Sequence, residues 1–201
     1  MEKQKKQKGK MDMQAMMDVH AKLRTLDVPT RRTNITRRKN NPAEKSAERE
    51  LVITRIFDAP REVVWKAWTD AERMMRWWGP KGFTAPFCKI DFRVGGVFHN
   101  CMRSPEGKDY WSTGVYREIV PLERIVCTDS FADEKGNVVP ATYYDMSADF
   151  PLEMLLTVTF EGRGGKTRLT LRHGGIPAGG DRDDAQAGWN QSLDKLAEAL
   201  K

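Results

Sequence analysis

Arg55-Ile-Phe-Asp-Ala-Pro-Arg-Glu-Val-Val-Trp-Lys-Ala-Trp-Thr-Asp70 is the stretch on which the fold turns. Leu51 to Phe57 is β-branched and alternating, so it reads as a strand. Asp58-Ala59-Pro60 breaks it, and Pro60, which has no N–H to satisfy, suits the first turn of a helix. Val63, Val64, Ala67 and Trp68 then share one helical face. Asp70 offers a side-chain oxygen to cap a second, short helix, which Trp77-Trp78-Gly79-Pro80 stops. The far end of the chain answers this beginning. A long closing helix is read from Gly188-Trp189, with Ala185, Trp189, Leu193, Leu196 and Leu200 as its apolar stripe.

Strand-like segments fill the interval. They are Phe83–Phe92, Val97–Arg103, Tyr110–Val120, Arg124–Phe131, Leu152–Gly162 and Lys166–Gly174. Their links are mostly tight turns, such as Gly95-Gly96 and Arg163-Gly-Gly165, and strands joined so closely pair antiparallel. Met154, Leu156, Val158 and Phe160 share one face, and Leu169, Leu171 and His173 share one face of the next strand, leaving the other face wet. The fold class is therefore α+β. A curved antiparallel sheet wraps around the long C-terminal helix, with two short helices after the first strand and a ligand-sized space between sheet and helix.

Charge divides the chain. Residues 1–45 carry 13 Lys/Arg and 5 Asp/Glu, a net of +8, which leaves −2 for the remainder of a chain whose total is +6. Residues 1–49 thus read as a basic extension, and residues 50–201 as the folded domain. Met13, Met16, Met17, His20 and Leu23 sit at helical spacing within 12–23, and the Asn-rich stretch 29–47 reads as a linker. Nucleic acid is not expected as a partner, because the basic tail lacks interleaved aromatics for stacking on bases. No 18-residue apolar run predicts a membrane span, and the N-terminus lacks the apolar core of a signal peptide. Cys88, Cys101 and Cys127 are odd in number and widely spaced, which suits a reducing cytoplasm rather than a disulfide framework.

Candidate chemistry is sparse. His20, His99 and His173 are far apart and no Cys-x-x-Cys or His-Glu-x-x-His occurs, so neither a metal nor a cofactor is expected. Gly165-Lys166-Thr167 lacks the leading Gly of a phosphate loop, since Phe160 holds that place, and reads as a hairpin turn. His99 and Cys101 share a strand face but lie too far apart for a nucleophile pair. His173 is aimed by parity at the sheet–helix interior, where it can orient a polar ligand group or act as acid or base. Aromatic side chains gather around the same space. Trp68, Trp77, Trp78, Phe98, Trp111, Phe131 and Trp189, with His173 and Leu193, are the expected ligand-binding residues.

Several of these motifs together resemble a known family. Ile53-Thr-Arg55, Ala59-Pro60, Val64-Trp65, Ala67-Trp68, Trp77-Trp78-Gly79-Pro80 and Asp91-Phe92-Arg93-x-Gly95-Gly96 look like the activator-of-heat-shock-protein-90-ATPase homologue family. Gly114-x-Tyr116-x-Glu118-Ile119, Pro121-x-Glu123-Arg124-Ile125, Thr167-x-Leu169-Thr-Leu171 and Gly188-Trp189 continue the match over residues 50–201. The resemblance implies the START-like, helix-grip fold, and a function of small-molecule binding. The family's eukaryotic co-chaperones carry this domain behind a separate N-terminal chaperone-binding domain, whereas residues 1–49 are short and polar, so contact with a chaperone stays open.

Three functions compete. The leading one is a non-enzymatic binder of a small apolar or amphipathic ligand, with a homodimer left open. The second is a cavity enzyme of cyclase or hydratase type with His173 as acid/base. The third is a chaperone cofactor or adaptor. A buried titratable partner beside His173 favours the second, and a continuous basic face on the folded body favours the third. The charge division makes a first prediction. A chain beginning at Ser46 melts cooperatively, close to the full-length temperature, in a calorimetric scan; aggregation instead would place the Met13–Leu23 segment in the core or in an obligatory dimer.

Overall fold

The computed structural model describes residues 50–201, so the segments expected at 12–23 and 29–47 lie outside the described residues. Strand β1 (Glu50–Phe57) leads into helices α1 (Arg61–Thr69) and α2 (Ala71–Met74). Strands β2 (Thr84–Ile90), β3 (Val97–Arg103), β4 (Asp109–Val120) and β5 (Arg124–Ala132) follow. A 3-10 turn at Ala141–Tyr144 precedes β6 (Met154–Arg163), β7 (Lys166–Gly174) and helix α3 (Gly180–Ala199). The strands form one seven-stranded sheet in the order β1-β7-β6-β5-β4-β3-β2, antiparallel throughout. β1 and β2 are consecutive in sequence yet occupy opposite edges. α1 and α2 make that crossing, whereas most neighbouring strands are joined by short turns, the exception being the long β5–β6 connection through Ala141–Tyr144.

Local chemistry sets the boundaries. Pro60 precedes α1, and the Asp70 side chain accepts from the Arg73 N–H to start α2. The sheet bends where its ladder is interrupted. The β4–β5 register shifts between Tyr116 and Glu118, and the β2–β3 register between Thr84 and Phe87; such irregularities add bend and twist. Gly114 is needed beside the first of these, because a Cβ there would fall 1.9 Å from the Thr128 carbonyl oxygen.

The curved sheet and α3 share one core. Leu193 and Leu196 of α3 are fully buried, as are Leu169 and Leu171 of β7. Two expectations are corrected. α3 begins at Gly180, eight residues before Gly188. Its first turns are polar, with Asp181 and Asp183 placed favourably at the positive end of the helix dipole, so apolar periodicity could not reveal them. Thr167, grouped by sequence with Arg168, Thr170 and Arg172 at the intervening or flanking positions of the wet face, is not on that face. It shares the parity of Leu169, is buried, and donates to the Ala59 carbonyl at 2.7 Å.

The segment between α2 and β2 is fastened to α3 by charge. The Lys195 ammonium reaches four backbone carbonyls, those of Trp78 (3.3 Å), Gly79 (3.0 Å), Pro80 (3.4 Å) and Phe83 (2.9 Å). Asp194, one residue earlier, pairs with Arg55 of β1 at 2.9 Å and with Lys81 at 3.3 Å. Burial pulls the Lys195 pKa below the ordinary lysine range, while the carbonyl dipoles favour its charged form. Hydrogen bonds to a charged group contribute about 1.5–3 kcal/mol. Lys195→Met therefore lowers the unfolding free energy in urea by roughly that amount. An unchanged midpoint would show that water satisfies these carbonyls equally well.

Candidate functional site

Between the N-terminal half of α3 and the sheet lies a cavity of about 300 Å³, at the small end of ligand sites. Asp181, Asp184, Ala185, Gly188, Trp189 and Ser192 of α3 line it. Their spacing is one continuous helical face, which exposes these residues to the cavity while Leu193 and Leu196 dip into the packed core. The remaining wall comes from Trp78-Gly79-Pro80, from β4 and β5, and from Met146, Phe150 and Met154.

The aromatic and apolar residues singled out in the sequence divide into two groups. Trp78, Trp111, Phe131 and Trp189 line the cavity, together with His173. Trp77 and Leu193 do not, being 0% exposed, and the Trp77 indole N–H donates to the Ala67 carbonyl at 2.9 Å. Trp68 stacks on Trp189, with ring centroids 6.2 Å apart and planes 16° apart, and so supports the cavity wall without lining it. Trp68 and Phe98 instead border a separate void of about 30 Å³. Trp68 Nε1 and Asn100 Oδ1, a buried donor and a buried acceptor that lack partners, both belong to residues bordering that void, which is large enough for one water molecule.

His173 sits near the end of β7, between Leu51 of β1 and Leu156 of β6 in the register, and is only 4% exposed. The Trp189 indole donates to its Nδ1 at 3.1 Å. An indole N–H can only donate, so Nδ1 accepts and the ring proton of the neutral imidazole belongs to Nε2. That nitrogen lies 3.3 Å from Oδ2 of Asp129, but off the line of a hydrogen bond, and has no well-directed partner. Asp129 comes from β5, opposite Met154 in the register, and its side chain is 16% exposed. The site therefore joins a carboxylate to a histidine whose tautomer is set by a tryptophan.

Asp129, Asp181 and Asp184 were missed in the sequence. Asp129 carried a usable signal, since it shares the parity of the buried Ile125 and Cys127 on β5 and breaks their apolar pattern. The two helix aspartates lie in turns that periodicity did not assign to α3.

The other candidates disperse. Burial pushes the Cys101 thiol up to about 11 and the Cys88 thiol up to about 12, opposite to what an activated nucleophile needs. His99 packs its ring against Trp111 at 4.8 Å and has its Nε2 3.2 Å from the Asp133 carbonyl oxygen. All three cysteines are free. Among the described residues, no group of three or more His, Cys, Asp or Glu is placed to hold a metal ion, and no helix is long and apolar enough to cross a membrane.

Comparison with known proteins places this architecture. A solved structure from Chromobacterium violaceum is 29% identical, matching 76% of this chain and 96% of that one with a TM-score of 0.61. One from Nitrosomonas europaea is 23% identical, covering 77% of this chain and 95% of that one with a TM-score of 0.61. A third, the AHSA1 protein from Silicibacter pomeroyi, is 24% identical over 75% of this chain and 96% of that one, at a TM-score of 0.57. No curated protein matches the chain. The family model described as "Activator of Hsp90 ATPase homolog 1-like protein" matches residues 58–201, most of the folded region, and the chain belongs to that family.

Proposed function

We propose that this protein binds a small apolar or amphipathic molecule between α3 and the sheet. The observation that carries the reading is the cavity itself, which combines an aromatic wall with a polar end formed by Asp129 and His173. Such a division is what a site for an amphipath needs, since apolar area supplies affinity and a few polar groups fix orientation. Chaperone activation, suggested by the family's name, finds no separate support in the described residues. Native mass spectrometry of gently purified protein is the direct test. A retained small molecule supports the reading.

The Asp129–His173 contact favours a second reading, acid/base catalysis in the same cavity. It also moves the role first given to His173. With Nδ1 engaged by Trp189 and Nε2 carrying the ring proton, the imidazole has no free lone pair with which to act as base. Asp129 would be the base, and His173 the residue that positions it.

Gly188 provides a clean test of the binder. A Cβ at this position meets only the Pro80 side chain, at 3.7 Å, which is ordinary contact. Gly also costs about 1 kcal/mol relative to Ala in a helix. Gly188→Leu therefore projects a side chain into the cavity from a position whose Cβ has room and whose helix propensity improves. Ligand retention in native mass spectra falls sharply in this variant; undiminished retention would put the ligand elsewhere.

Trp189→Phe tests the polar end. It keeps an aromatic ring but deletes the N–H that fixes His173, at a cost of about 0.5–1.5 kcal/mol for one hydrogen bond. Imidazole ¹⁵N shifts report a single Nε2-protonated tautomer in the parent protein and a mixture in the variant. A mixture in the parent already would remove the tautomer argument.

A further inference from the structure

The cavity's charges are one-sided. Asp129 at its polar end, and Asp181 and Asp184 on its α3 wall, supply three carboxylates. Among the described residues, no lysine or arginine lines it. The nearby Lys108 ammonium lies 5.4 Å over the Tyr110 ring, but it is paired with Asp145 at 3.1 Å. The Trp189 indole N–H occupies His173 Nδ1, so the neutral ring presents Nε2–H to the cavity.

A second, independent observation lies at the inner end. His173, 96% buried by its 4% exposure, lines the cavity with an Nε2–H that lacks a well-directed acceptor. The site thus lacks a positive charge beside Asp129, and its Nε2–H meets only the off-line Asp129 Oδ2 at 3.3 Å, so a ligand can bring both the charge and a well-directed acceptor.

We infer that the ligand is a cationic amphipath, a primary amine with a neighbouring hydroxyl, as in a 1,2-amino alcohol. Its ammonium pairs with Asp129, its hydroxyl oxygen accepts from His173 Nε2, and its apolar tail lies against Trp78, Trp111 and Phe131. Asp181 and Asp184 form an acidic wall that repels carboxylate- and phosphate-headed amphipaths. The inference rests on the ligand-binding reading and narrows it to one chemical class.

Four probes with the same eight-carbon chain test it on the full chain by titration calorimetry at neutral pH: 1-amino-2-octanol, octylamine, 1-octanol and octanoate. The Trp189 indole ¹H–¹⁵N resonance reports the site occupied. The amino alcohol binds tightest, octylamine next, and both bind at least about tenfold more tightly than octanoate, a factor of ten corresponding to one modest ion-pair interaction. In Asp129→Asn the preference for amine over octanoate shrinks to about threefold or less, while 1-octanol binds no more weakly than before. Asp184→Asn, on an exposed position of α3, weakens the same preference without touching the buried end. Equal binding of amine, alcohol and carboxylate overturns the cationic assignment but leaves a ligand cavity. Tighter binding of octanoate, or a preference that survives both substitutions, also overturns it. An amino alcohol no tighter than octylamine removes the role of Nε2, and binding of none of the four overturns the cavity reading as well.

Discussion

The hydrogen bond from the Trp189 indole to His173 Nδ1, with the bonds from Arg55 of β1 to Asn190 and Asp194, fixes the rotation of α3 over the sheet. A helix resting on an apolar surface can rotate or slide at little cost, because hydrophobic contact has no direction. A hydrogen bond does have one. With Trp189 held to the end of β7, residues at i−8, i−5, i−4 and i−1 on α3 are turned to the same side, and these are Asp181, Asp184, Ala185 and Gly188. One position of rotation, about 100°, would carry the aspartates away and put polar residues against the core. The Trp189 bond also fixes the histidine tautomer, so the placement of the helix and the chemistry of the polar end share a cause.

Lys195 does the corresponding work at the other side of the helix. Its ammonium gathers carbonyls from Trp78 to Phe83 and so holds the segment that forms one wall of the cavity. Trp78 meets Trp189 edge-on with ring centroids 5.6 Å apart, and Trp68 stacks on Trp189 from another side. Trp189 is thus held by its N–H to the sheet, by one ring to α1 and by another to the segment that Lys195 secures. The chain concentrates tryptophan here because the ring supplies both large contact area and a single directional donor.

Much of this was legible in the sequence. The strand-breaking Asp58-Ala59-Pro60, the turn glycines and the Leu169–Leu171–His173 parity specify elements whose periods are clean, and short links lead to the antiparallel neighbours β2 to β5 and β6–β7 but not to the β1–β7 pairing. Trp189 with Leu193 and Leu196 gave the inner stripe of α3. The site was legible only in part, for a physical reason: a helical stripe records which residues face inward, and inward includes both packed core and open cavity. Leu193 and Trp77 face core, whereas Trp189 and Ala185 face space, and the difference depends on how far the sheet has bent away. The acidic residues escaped because hydrophobic periodicity cannot count them. Asp129 shares the parity of the buried Ile125 and Cys127, and a charged residue on a buried parity is a better marker of a site than an aromatic one, since aromatic residues also fill cores.

The cavity's polar groups also bear on how it survives. At about 24 cal/mol per Å³, a dry void of 300 Å³ would cost on the order of 7 kcal/mol, comparable with the whole stability of an ordinary domain. A side-chain-lined space of that size is therefore either wet or filled. Water needs partners, and Asp129, Ser112, Ser130 and Ser192 supply them, while the faces of the aromatic rings offer little. Water along the aromatic wall is held weakly, and water at the carboxylates is held strongly. A ligand gains most by displacing the first kind and replacing the second, which requires an apolar body and a head that hydrogen-bonds at least as well as water does. A neutral, wholly apolar molecule would satisfy the wall but strand the Asp129 carboxylate in a drier surrounding, at the cost of an unpaired charge. The same division that keeps the cavity open thus sets the chemistry of what can close it.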